Sequence, residues 1–173
     1  MVYVGVALLM WSMTALFSRE YFAHYRNRNR YYFFFLLTLG ATLGVFMSGD
    51  LYTAFVFFEI MSFTSYTWVA HDEKPGAMKA AGTYLAVAVI GGLVMLMGIM
   101  MLYFKLGTVM INEICEAAIP VFESGEDTAY MFVAGICILF GFGAKAGMFP
   151  LHIWLPKAHP VAPAPASALL SGV

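Results

Sequence analysis

The chain has 173 residues, of which 62% are hydrophobic and 11% charged, and its mean hydropathy is +0.81. A water-soluble domain needs roughly 25% charged residues to cover its surface, so this composition excludes a soluble module and makes lipid the main solvent. The formal net charge of −1 identifies no partner by itself, and nucleic acid is not expected as one; the informative feature is where the charges lie.

A membrane-crossing helix needs about 20 apolar residues. Five runs approach that length and a sixth begins near the end of the sequence. The first run covers residues 2–17. It has no basic leader and no small-residue cleavage site, so it reads as a membrane helix and not as a removed signal peptide. The connection SREYFAHYRNRNR follows, with Arg19, Arg26, Arg28 and Arg30. The second run, 31–47, stops at the turn Ser48-Gly49-Asp50, and the third occupies 51–70. The connection HDEKPGAMK then supplies Lys74 and Lys79, and the fourth run spans 80–104.

Between Lys105 and Asp127 lie Glu113, Glu116, Glu123 and Glu126. Within this acidic stretch Ile111, Ile114, Cys115 and Ala118 recur at helical spacing, which predicts an amphipathic helix within 108–122 lying at the membrane surface as a cover for the bundle. The fifth run, 128–148, is rich in glycine. The segment AHPVAPAPAS then punctuates the start of a sixth, 162–173, too short to cross. Runs that are apolar all round exclude a transmembrane β-barrel, whose strands alternate.

Seven of the nine basic residues fall on one side of this topology, in loops 18–30 and 71–79 and at Lys157. The positive-inside rule places that side in the cytoplasm and the acidic loop 105–127 outside, for a multi-pass protein of the cell inner or plasma membrane. Cys115 and Cys137 have no metal-ligand or CxxC spacing. His24, His71, His152 and His159 all avoid mid-span positions, which argues against a membrane cytochrome. No cofactor is expected in this chain. His152 and His159 bracket the turn FPLHIWLPKAHP, where each is either a hydrogen-bonded loop residue or part of a proton relay.

Two charges lie inside spans. Glu59 is eight residues into the third run, about 12 Å below its start. An ionised carboxylate there costs several kcal/mol, so it must be paired, hydrated or protonated. Ser62, Phe63 and Tyr66 follow at i+3, i+4 and i+7, putting a hydroxyl and a phenol on the carboxylate's expected face. Lys145 sits near the end of the fifth run among Gly141, Gly143, Ala144, Ala146 and Gly147, just before Pro150. That reads as a lysine at a broken helix lining a cavity; the other reading is a lysine snorkelling to the boundary. Lys79, opening the fourth run, is either a boundary lysine or a functional one.

Three stretches carry a resemblance: FPLHIWLPKAHPVAPAPASALLSGV, FFEIMSFTSYTWVA and AAGTYLAVAVIGG. They resemble the antiporter-like, proton-conducting membrane subunits of respiratory complex I, above all the version in membrane-bound hydrogenase and formate hydrogenlyase complexes, with the Mrp-type cation/proton antiporters as cousins. The resemblance implies an all-α, polytopic transmembrane helix bundle of about five full spans plus a truncated sixth, most of the first of two inverted repeats. It implies that Lys145 takes up and releases a proton, that Glu59 tunes it through their changing separation, and that Lys79 matches a further basic position of the family. The implied partners are lipid, protons or Na+, other membrane and peripheral subunits, and further chain supplying the second half-channel. The implied reaction is redox-driven pumping, with no redox chemistry in this chain. A stand-alone Mrp-type antiporter component and a purely structural membrane subunit are the alternatives.

Overall fold

The computed structural model describes residues 2–24 and 27–172; Arg26 of the basic loop and Val173 at the end of the sixth run lie outside them. The helices are α1 (Val2–Tyr21), α2 (Arg28–Met47), α3 (Leu51–Val69), α4 (Pro75–Leu106), α5 (Ile114–Ser124), α6 (Thr128–Ala146), α7 (Leu155–Ala158) and α8 (Ala164–Gly172), with a 3-10 turn at Leu151–Trp154. Local chemistry sets their ends. Asp50 caps α3 by accepting the Thr53 N–H at 2.7 Å. Pro75 opens α4, and Gly107 closes it with φ +73°, a left-handed conformation that suits glycine.

Among the described residues, four segments are long and apolar enough to cross a membrane: Val2–Tyr21, Arg28–Met47, Pro75–Leu106 and Thr128–Ala158. The expected span at 51–70 is a helix of 19 residues, about 28 Å long, but Glu59 and its hydroxyl residues dilute its hydropathy. It packs between α2 and α4. There its hydroxyls are bonded inside the bundle: Thr38 Oγ1 donates to Thr64 Oγ1 at 2.8 Å, and Ser65 Oγ lies 2.6 Å from the Tyr84 hydroxyl. The bundle turns Val2, Tyr3, Leu16, Leu36, Phe104 and Phe132 outward, as lipid solvation requires.

Glycines hold the centre together. A side chain at Gly98 of α4 would meet the Ala134 carbonyl at 2.7 Å and Cys137 Cβ at 2.8 Å; one at Gly141 of α6 would meet the Gly91 carbonyl at 2.8 Å. Bare backbone at these positions lets α4 and α6 make the most extensive helix pairing in the molecule. Beside it, Trp11, Phe22, Tyr31, Phe35, Trp68 and Leu169 form an aromatic cluster joining α1, α2, α3 and α8, and Trp11 Nε1 donates to the Phe35 carbonyl at 3.1 Å.

The connections on the basic side are tied to one another. Arg30 hydrogen-bonds Glu73 and donates to the His71 carbonyl at 2.8 Å. The Arg30 bond and charge hold the exposed Glu73 carboxyl below its ordinary range, while burial, then the Arg30 charge, push the His71 imidazole down. At the other end the Leu51 N–H donates to the Val109 carbonyl and the Ile111 N–H to the Gly49 carbonyl, both at 3.0 Å.

That strap corrects the expectation for 108–122. Ile111 belongs to it, so the helix begins only at Ile114. Ile114, Ala117, Ala118 and Val121 of α5 are half-buried at helical spacing, and the helix touches α4. Ile119 and Phe122 are left outward at the edge.

Candidate functional site

Lys145 is the next-to-last residue of α6. Gly147 follows in a left-handed conformation (φ +71°), the chain turns through Met148, and Trp154 comes back to donate from Nε1 to the Ala144 carbonyl at 2.9 Å. The helix is therefore broken just after the lysine, as the sequence suggests, and the indole satisfies a carbonyl that the break frees. The C-terminal turn also favours a cation.

The ammonium does not reach outward to the boundary. Its Nζ hydrogen-bonds the Tyr84 hydroxyl, donates to Ser65 Oγ at 3.1 Å and stands 4.6 Å from the Tyr84 ring centroid. Ser65 passes its own proton to the Met61 carbonyl at 2.6 Å. Trp154 meets Tyr84 edge-on at 4.8 Å, which fixes the phenol from behind. Charged hydrogen bonds contribute about 1.5–3 kcal/mol each and a desolvated cation–π contact about 2 kcal/mol, so this seat competes with hydration for the ammonium. It opens on a cavity of about 620 Å³ lined by Trp11, Thr42, Phe58, Met61, Lys145 and Leu169 among others.

Glu59 lies elsewhere. Its Oε1 is buried without a hydrogen-bond partner, and its carboxyl lies over the backbone of Gly92 in α4. The ion pairs among the described residues are Arg30–Glu73, Lys74–Asp72 and Lys105–Asp127, so Glu59 and Lys145 are not in contact. The lysine's partners sit six residues further along α3 and eight residues back along α4, an axial offset of roughly 9–12 Å.

Ser62, Phe63 and Tyr66 share the continuous helix α3 with Glu59 at the expected spacing, but the Ser62 hydroxyl does not bond the carboxyl. It turns back to the Phe58 carbonyl at 2.9 Å, and Phe63 is 53% exposed. A serine inside a helix bonds its own preceding turn when no better acceptor is near. Lys79 is exposed near the start of α4, and His152 is exposed and stacked on Phe149 at 5.6 Å; neither joins the site. His159 stands closer. Its Nδ1 is 2.7 Å from Ser167 Oγ, and its ring stacks on Trp154 at 6.4 Å, so two rings separate it from Lys145. Among the described residues no group of three or more His, Cys, Asp or Glu side chains could hold a metal ion.

Sequence reasoning missed Ser65, Tyr84 and Trp154. Ser65 is six positions from Glu59, about 240° around the helix at 100° per residue, so a search of the carboxylate's own face passes over it. Tyr84 had one usable signal, as the polar tip in the apolar stretch AAGTYLAVAVIGG.

The structure is thus a polytopic helix bundle with a buried carboxyl oxygen lacking a hydrogen-bond partner and an inward-turned lysine at a helix break. The family described as "NADH:quinone oxidoreductase/Mrp antiporter, TM" matches residues 48–173; the chain belongs to it. A Na(+)/H(+) antiporter subunit from Alkalihalophilus pseudofirmus is 30% identical over 98% of this chain and 32% of its own length. A putative antiporter subunit, mnhA2, from Staphylococcus aureus is 31% identical over 96% of this chain and 20% of its own. Two solved assemblies share the fold. A chain of the membrane-bound sulfane sulfur reductase, an archaeal respiratory membrane complex, aligns with a TM-score of 0.84 at 28% identity, covering 96% of this chain and 34% of its own. A chain of the Mrp complex from Dietzia aligns at 0.87 and 26%, covering 98% and 18%. The chain thus spans about a third or less of these relatives. None of the four carries the hydrogenase name that the motif resemblance suggested.

Proposed function

We propose that this chain is a proton-translocating element of a multisubunit membrane complex and that Lys145 is the group that takes up and releases the proton. One observation carries the reading: the lysine is turned into the bundle at a helix break and held by neutral hydroxyls, with no carboxylate in contact. An ammonium held in that way keeps its charge through bonds that can be exchanged for water or for a nearby anion. Glu59, about two turns away along α3, is the anion that biases it. The relatives' names favour exchange of protons for Na+ in an Mrp-type assembly. The likeness to a respiratory complex favours protons driven by electron transfer in other subunits. Everted membrane vesicles carrying the complex separate the two. Na+ uptake driven by an imposed pH gradient without an electron donor supports exchange; proton movement only on addition of a donor supports the redox-driven reading. Loss of neither process in Lys145→Met would leave the structural alternative standing.

The sidedness belongs to the same proposal. The loops 18–30 and 71–79 face the cytoplasm, because clustered basic residues resist translocation. Cys115, exposed on α5, should react with an impermeant thiol reagent added to intact cells. Reaction only after lysis reverses the orientation.

A further inference from the structure

The α4 dipeptide Gly91-Gly92 serves two neighbours. A Cβ on Gly91 would run into Ala144 Cβ of α6, at 2.5 Å; this glycine belongs to the α4–α6 packing. A Cβ on Gly92 would instead fall on the carboxyl of Glu59, colliding with Oε1 and lying 2.7 Å from Cδ and 3.2 Å from Oε2. All three atoms of the carboxyl are thus laid against one bare Cα. The same Oε1 has no hydrogen-bond partner, so no hydrogen bond through that oxygen fixes the group there; the bare backbone of Gly92 leaves the room it occupies. Any side chain at 92 removes the seat.

We propose that Gly92 is a positioning residue for Glu59: its missing side chain makes a flat seat that keeps the carboxyl against α4, out of contact with Lys145. Phe58 and Met61, which flank the glutamate, line the 620 Å³ cavity onto which Lys145 also opens. A carboxyl displaced from Gly92 therefore turns toward that space and toward the lysine. The purpose of the placement rests on the relay proposed above; the placement itself does not.

The test reads the carboxyl directly. In membranes holding the chain with its partner subunits, a hydrophobic carbodiimide adds to accessible carboxyl groups and leaves a stable N-acylurea, which mass spectrometry of the Glu59 peptide quantifies. Gly92→Ala should raise the rate of Glu59 modification severalfold, while Gly91→Ala, which presses on α6, should leave it at the wild-type value. An unchanged or lower rate in Gly92→Ala overturns the proposal, and so does an equal rise in Gly91→Ala. If Gly92→Ala fails to accumulate, Glu59→Asp supplies the second arm. One methylene fewer draws the carboxyl back from position 92, so Gly92→Ala/Glu59→Asp should accumulate where Gly92→Ala does not. Failure of that rescue also overturns it. Labelling needs no ion flux, so a chain that moves no protons would defeat the relay and still leave this result readable.

Discussion

Lys145→Arg should abolish most proton movement through the complex while leaving the chain folded and assembled. Arginine keeps the positive charge, the favourable position at the end of α6 and the ability to donate to Tyr84 and Ser65. It does not keep the ability to release a proton. A guanidinium holds its proton far more tightly than an ammonium, so the deprotonated form becomes on the order of a hundredfold rarer or more. Flux limited by proton release should fall by a similar factor. The measurement is donor- or gradient-driven proton movement in vesicles, normalised to assembled complex. Full activity in Lys145→Arg would make the lysine an electrostatic anchor.

Glu59→Gln should reduce flux on the order of tenfold, less than the lysine change, again with assembly largely intact. Two unit charges about 9 Å apart interact by roughly 2 kcal/mol at an effective dielectric of 20, and by about 4 kcal/mol at 4 Å. The difference sets how strongly movement of either side chain biases the other. An amide of the same shape still fits over Gly92 but removes the charge and this bias. Wild-type flux in Glu59→Gln would show that the carboxylate is not coupled to the lysine.

How far the sequence alone carries can be judged residue by residue. The membrane spans are legible because lipid demands a long apolar run, and α1, α2, α4 and α6 each contain one. The break after Lys145 is legible because Gly147 readily takes the left-handed conformation that ends a helix and Pro150 cannot donate to the helix ladder. The strap at residues 108–113 is not, since pairing Val109 and Ile111 with the turn before α3 depends on contacts between loops remote in sequence. Likewise, periodicity gives the face of one helix but not which helix will meet it. It placed Ser62 and Phe63 beside Glu59, whereas the first bonds its own backbone and the second is exposed at the bundle surface. The seats of the two charges are made by α4, through Tyr84 for the lysine and Gly92 for the glutamate, and no spacing within α3 or α6 announces either.

The central claim is that Lys145 takes up and releases the transported proton. It is tested most directly by rebuilding the side chain chemically. In a background with Cys115→Ser and Cys137→Ala, Lys145→Cys provides a single thiol at the edge of the cavity. Alkylation with 2-bromoethylamine then restores a primary amine at nearly lysine's length, and alkylation with (2-bromoethyl)trimethylammonium restores a permanent charge that carries no proton. The account predicts that the primary amine recovers proton flux and the quaternary ammonium does not. Equal recovery by both would contradict it, because a fixed charge would then suffice.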